Sequence, residues 1–299
     1  MKMPKHVSPS SFACWKSNRE EYYLRYLADQ PVPRFPQTEA MAVGSAFDAY
    51  IKFHLGTRCG VIGDLTFDSL FEEQVEDQNR DFALRAGKDV FDQYIRSSAY
   101  ERLCKGLDKA SSVNLVFDRW GTVKDVSGVP VNGIPDLMYR VGGVTVIEDW
   151  KVNGYCGSSV TRAKAGYLYH GGVTHKNAVP AFHEGVEYNC TPNMVGTDWA
   201  IQLCMYGWVY VVPGTEFMIG VQQLVCNNKQ VVVAEHRHFL ESSFQESLLA
   251  ELKEMWATIE SGWIFRDMTE EESKGRQTIL DQHATGLQDP FMKMISGRK

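Results

Sequence analysis

The segment Gly133-Ile-Pro-Asp-Leu-Met-Tyr-Arg-Val-Gly-Gly-Val-Thr-Val-Ile-Glu-Asp-Trp-Lys151 constrains this chain more than any other. Gly142-Gly143 stands between two apolar runs, and glycine takes positive φ without steric cost, so the spacing predicts a tight β-hairpin. Side chains alternate along a strand. Thr145, Ile147, Asp149 and Lys151 therefore share one face of the second strand, and Val144, Val146, Glu148 and Trp150 share the other. Asp136, early on the first strand, can reach the point that Asp149 and Lys151 face. Two carboxylates and an ammonium around one small volume suit a hard cation such as Mg²⁺ or Mn²⁺. Such an ion can hold a phosphate and activate a water, while the lysine orients that water or offsets charge on the phosphate. The alternative open at this level is a turn cap at Asp136 and an exposed cross-strand charge set at Asp149 and Lys151.

Three other stretches carry related signals. In Asp198-Trp-Ala-Ile-Gln-Leu-Cys-Met-Tyr-Gly-Trp-Val-Tyr210, Gln202 and Tyr206 lie one helical turn apart on a common face, with Asp198 favoured at the helix start. A core aromatic at Tyr206 with a solvated Gln202 is the competing interpretation. Ser8 to Leu27 predicts an opening helix whose Tyr22, Tyr23, Tyr26 and Leu27 form an apolar stripe, and whose Lys16, Arg19 and Arg25 are either a solvated face or phosphate contacts. Met41-Ala-Val-Gly-Ser-Ala-Phe-Asp-Ala-Tyr50 predicts a further helix, with Asp48 four residues after Gly44 and His54 on a different face.

Pro135-Asp136 followed by Asp149-Trp150-Lys151, with Gln202-x-x-x-Tyr206 downstream, resembles the PD-(D/E)XK nuclease superfamily, specifically its RecB-like exonuclease branch. The serine-led opening helix with its aromatic, basic end is similar as well. The resemblance implies an α/β fold: a restriction-endonuclease-like core with a central mixed sheet flanked by helices, and helical N- and C-terminal additions. It implies that Asp136 and Asp149 bind Mg²⁺ (or Mn²⁺), with the Trp150 backbone carbonyl as a further ligand. Lys151 would orient the attacking water, and Gln202 and Tyr206 would position DNA or a catalytic group. Many relatives carry histidine four residues after the helical glycine. Here Asp48 stands there and is expected to serve as a third acidic ligand.

The implied activity is metal-dependent hydrolysis of DNA phosphodiester bonds, more as an exonuclease than an endonuclease, in phage-type recombination, repair or processing. DNA is the expected partner. Such a setting also allows a single-strand annealing protein and a second copy of the chain as protein partners. Two alternatives stay open: a catalytically inactive DNA-binding or assembly protein on the same fold, and a metal-dependent hydrolase of small phosphate compounds. The chain has no phosphate-binding loop of the G-x-x-x-x-G-K-[ST] kind, which argues against ATP-driven unwinding.

A net charge of -6 excludes a generally basic DNA-coating protein, so nucleic acid would be gripped locally. No apolar run approaches membrane-spanning length and the start lacks a signal-peptide pattern, so no membrane association and a cytoplasmic location (the host cytoplasm for a phage protein) are expected. The seven cysteines form no C-x-x-C pair and no late cluster, so no iron–sulfur cluster is expected, and His170, His175 and His183 fit no zinc pattern.

Across its 299 residues the expected organisation is one nuclease domain over 1–270, with a polar tail over 271–299. The domain comprises a helical part over 9–105, a catalytic core over 110–240 and a C-terminal helix over 241–262. Strands are predicted near 113–120, 121–126, 129–140, 144–151, 216–226 and 230–239, and a helix over 198–211. The core is interrupted by an insertion at 152–197, in which Tyr155, Tyr167 and Tyr169 lie among Arg162, Lys164, His170, His175 and Lys176. Such an insertion reads either as a base-stacking, phosphate-holding segment or as a lid or subunit contact.

Overall fold

The computed structural model describes residues 1–117, 121–163, 168–169, 179–183, 186–190, 197–228 and 230–288. The helices are α1 (Pro9–Ser17), α2 (Arg19–Tyr22), α3 (Glu39–Cys59), α4 (Phe67–Gln74), α5 (Arg80–Tyr94) and α6 (Ser98–Leu107), then α7 (Thr197–Tyr210), α8 (Ser242–Ser261) and α9 (Glu270–Gln288). The strands are β1 (Ser112–Leu115), β2 (Thr122–Val126), β3 (Val129–Gly133), β4 (Leu137–Val141) and β5 (Val144–Asn153). They continue with β6 (Leu168–Tyr169), β7 (Val179–His183), β8 (Val186–Cys190), β9 (Phe217–Asn227) and β10 (Gln230–Leu240). The chain is an α/β protein with a mixed central sheet and flanking helices. It divides into two compact units, residues 37–122 with 134–242, and residues 1–36 with 123–133 and 243–299.

In the larger unit the sheet order is β1-β4-β5-β9-β10-β6. All neighbours are antiparallel except β5 and β9, which run parallel with Asp149 opposite Val221 and Lys151 opposite Gln223. Gly142 (φ 55) and Gly143 (φ 84) make the β4–β5 turn in the left-handed region, as the glycine pair predicts. One face of the sheet carries the main apolar core. Leu137, Tyr139, Val146 and Trp150 pack there against Phe47, Ile51 and Leu55 of α3, Val90 and Tyr94 of α5, and Leu103 and Leu107 of α6. Helix α7 packs on β5 and β9, with Trp199 edge-on to His236 at 5.1 Å between ring centroids.

The stretch expected as one strand over 129–140 is broken at Ile134-Pro135-Asp136. Pro135 has no N–H to give to a ladder, so β3 ends before it and β4 begins after it. Asp136 thus stands at the mouth of β4, one residue before the strand expected to carry it. Strand β1 is likewise shorter than its predicted span, ending at Leu115.

The smaller unit is held by its own contacts. β2 and β3 form a hairpin, and Val7 adds a bridge beside Val131, its N–H donating to Pro130 O at 2.7 Å. Tyr22, Tyr23 and Leu27 are fully buried, as the apolar stripe predicts, whereas Tyr26, its fourth member, is only partly buried. Lys16 pairs with Glu251 and Arg25 with Glu21, so neither is a free cation. The polar stretch beyond 270 is helical as far as Gln288. Thr269 caps α9, its Oγ1 accepting from Glu272 N at 3.3 Å while Glu272 Oε2 accepts from Thr269 N at 2.8 Å, and Glu270, Glu271 and Glu272 fill the first turn.

One glycine sets how closely α7 approaches the sheet. A Cβ on Gly207 would lie 2.2 Å from Cζ of Phe217, whose ring is fully buried at the start of β9. Alanine would gain roughly 1 kcal/mol of helix propensity, but overpacking a confined ring costs about 1–3 kcal/mol. Gly207→Ala is therefore expected to lower stability by up to roughly 2 kcal/mol in urea denaturation. Unchanged or increased stability would show that α7 does not need this close approach.

Candidate active site

Four elements of the larger unit bring seven of its side chains to one place: Asp48 and Lys52 from α3, Asp136 at the mouth of β4, Asp149 and Lys151 from β5, and Gln202 and Tyr206 from α7. Asp136 is fixed through its Oδ2, which accepts the Trp150 backbone N–H at 3.0 Å. Its Oδ1 lies 3.3 Å from Lys52 Nζ, and the same ammonium donates to Asp48 Oδ2 at 2.9 Å. Lys52 and Asp48 are one helical turn apart, which puts both on one side of α3, where Lys52 also reaches Asp136. Lys151 forms an ion pair with Asp149, as the alternation along β5 predicts. Asp136 and Asp149 lie close enough for each to perturb the other's titration.

Carboxylates this close cannot all ionise freely. Burial, with the neighbouring Asp136 charge, pushes Asp149 well above the usual carboxylate range, and Lys151 only partly offsets this. Burial acts on Asp136 in the same direction, but the Lys52 ammonium, the bond from Asp149 and the Trp150 N–H outweigh it and hold Asp136 below its ordinary value. The proton of the pair therefore sits on Asp149. Asp48 is raised to about 6, by burial first, with Lys52 opposing and Asp136 adding. Both lysines are raised despite burial because carboxylates surround them, Asp48 and Asp136 at Lys52, and Asp149 and Asp136 at Lys151.

The other predicted residues fall into two groups. Tyr206 accepts from Gln202 Nε2 at 2.8 Å, and its hydroxyl is raised by burial and then by the charges of Asp149, Asp136 and Asp48. The Trp150 side chain is in the core, its indole N–H donating to Tyr94 Oη at 3.0 Å, so only its backbone faces the site. His54 bonds Tyr100 Oη at 2.7 Å, on the different face expected of it. In the insertion, Tyr155 donates to Asp89 Oδ2 at 3.1 Å, and Asn227 clamps Thr161 through two bonds of 2.8 Å. Lys164, Tyr167, His170, His175 and Lys176 lie outside the described residues, as do the side chains of Tyr169 and His183.

Residue-pattern reasoning missed Lys52, although Asp48-x-x-x-Lys52 on a predicted helix is a legible pair. It also missed a line of polar groups on the Lys151 face of the sheet. There Gln223 donates to Asn153 Oδ1 at 2.9 Å and its own Oε1 meets His236 Nε2 at 3.3 Å.

Among the described residues no three His, Cys, Asp or Glu side chains converge into a ready-made ligand set. Lys52 Nζ stands between Asp48 and Asp136. The donor set nevertheless suits a hard cation. Three carboxyl groups face two ammonium groups, so one negative charge remains to be met, and Asp48 Oδ1 is a buried acceptor without a hydrogen bond. A scan against models of known protein families finds none that matches this chain. A search of curated proteins likewise finds no match.

Asp48 gives the site a measurable pH signature. The folded chain keeps this proton up to about pH 6, whereas an unfolded aspartate releases it near 3.8, so ionising Asp48 costs stability as the pH rises through that window. Asp48→Asn removes the cost. The stability of the variant relative to the parent, from urea denaturation in chelator, is expected to rise by up to about 3 kcal/mol between about pH 4 and about pH 6. A flat or falling difference would contradict the burial of this carboxyl.

Proposed function

We propose that the chain is a metal-dependent deoxyribonuclease with a PD-(D/E)XK-type core, acting on DNA ends as an exonuclease. The observation that carries this reading is the convergence of Asp136, Asp149 and Lys151 with Tyr206, Gln202 and Asp48, residues scattered over more than half the chain. Their order along the chain and the antiparallel β4–β5 pair agree with the motif resemblance. Mg²⁺ or Mn²⁺ would be held by Asp136 and Asp149, with Asp48 and the Trp150 carbonyl as further donors. When bound, the ion supplies a Lewis acid for a phosphoryl oxygen and lowers the pKa of its water.

The side chains of the chain then have separable tasks. Trp150 N–H keeps Asp136 aimed at Asp149, so the two oxygen donors are set before substrate arrives. The Lys151 ammonium stays charged beside Asp149 and is placed to orient the attacking water and to offset charge growing on the phosphate. Tyr206 keeps its proton, since burial and three carboxyl groups raise it, and offers an O–H to a phosphate or a water. Gln202 fixes that hydroxyl by donating to it. The phage-type setting, with an annealing protein as partner and the host cytoplasm as location, belongs to the same proposal.

One observation favours a second reading. A lysine between two acidic residues is also what a discarded metal site would contain, so Lys52 suits an inactive DNA-binding protein on the same fold. Digestion of end-labelled linear, circular and single-stranded DNA with Mg²⁺ or Mn²⁺ separates the two. Metal-dependent shortening of linear DNA from its ends is expected, and Lys151→Ala should slow it by about 10²–10³-fold. Cleavage unaffected by Lys151→Ala would remove the site assignment, and no cleavage of any DNA would favour the inactive protein.

A further inference from the structure

We infer that Lys52 is a resident cation of the acidic centre, filling one of two cation positions there, so that the centre takes a single divalent ion at its Asp136–Asp149 side. This rests on the metal-site reading above and deepens it. Lys52 is buried, and its ammonium touches one oxygen of Asp48 at 2.9 Å and one of Asp136 at 3.3 Å. Burying an ammonium costs several kcal/mol unless it is paired, and here two carboxylates pair with it. An ammonium so placed does what a metal ion between the same oxygens would do: it cancels their repulsion and fixes their separation.

The remaining pair is built differently. Among the described ion pairs Lys151 meets Asp149 alone, and no lysine bridges Asp136 and Asp149 as Lys52 bridges Asp48 and Asp136. A divalent ion from solution can enter and leave between such carboxylate oxygens, which suit a hard cation. A lysine tethered through α3 cannot leave in the same way. Its Cα is fixed in the middle of a helix whose neighbours Ile51 and Leu55 are fully buried. The centre thus has one exchangeable position and one permanently occupied by its own side chain. Asp48 then acts mainly through Lys52, as a positioning residue for that ammonium.

Titrating the metal-free full-length chain with Mn²⁺, by calorimetry and by the paramagnetic resonance signal of free Mn²⁺, tests this. The wild type is expected to take up one ion per chain, Lys52→Arg one, and Lys52→Met two. Melting curves give a second readout: Lys52→Met should melt lower than the wild type in chelator and recover more on adding Mn²⁺. Two ions in the wild type, or a single ion and unchanged chelator melting in Lys52→Met, would overturn the inference while leaving the nuclease reading intact. No bound ion in the wild type would overturn both. Should Lys52→Met not fold, the wild-type stoichiometry decides alone, one ion supporting the inference and two opposing it.

Discussion

The structure turns on the close approach of Asp136 and Asp149. Like charges repel, and a carboxylate removed from water costs several kcal/mol unless it is paired. A fold that needed only stability would keep such groups apart or exposed. Here the Trp150 N–H grips Asp136, the β4–β5 register brings Asp149 beside it, and Lys52 and Lys151 stand on either side. The count of charges is nearly balanced and falls short by one. That shortfall is met by a proton on Asp149, and it is the opening for an exchangeable cation. The proposed chemistry and the role inferred for Lys52 both follow from this incomplete balance.

What holds β5 in register is a second, largely buried polar set on the face of the sheet away from Asp149. Arg237 donates to Glu148 Oε1 at 2.6 Å and to Tyr139 Oη at 3.2 Å, and Gln222 donates to the same Glu148 oxygen at 3.1 Å. Tyr94 joins Gln222 to the Trp150 indole, with bonds of 2.6 and 3.0 Å. Glu148 and Trp150 flank Asp149, so the residues on either side of it are tied to β9, β10, β4 and α5. A one-residue slip of β5 would turn Glu148 toward the acidic group and Asp149 into the core, and the network makes that exchange costly. From the other side, the bare Cα of Gly207 lets α7 come down close enough for Tyr206 to feel the carboxylates.

Much of this was legible in residue order. The Gly142-Gly143 turn, the alternation that pairs Asp149 with Lys151, the helical spacing of Gln202 and Tyr206 and the apolar stripe at Tyr22, Tyr23 and Leu27 are local patterns, and each is found where it was expected. What escaped depended on contacts between distant segments. Lys52 reads locally as half of an i,i+4 pair with Asp48, and only the packing of α3 on the sheet gives it Asp136 as a second partner. The Glu148–Arg237 pair joins strands that only the tertiary fold brings near. Two misses were local. Pro135 announced the break between β3 and β4, and Thr269-x-x-Glu272 announced the start of α9, where the polar composition suggested a tail.

The most direct measurement is anomalous scattering from crystals of the chain grown with Mn²⁺. One peak per chain is expected, bonded to the carboxylates of Asp136 and Asp149, with Lys52 still between Asp48 and Asp136. A peak that ignores these two aspartates, or an Mn²⁺-saturated crystal with none beside them, would contradict the proposed centre.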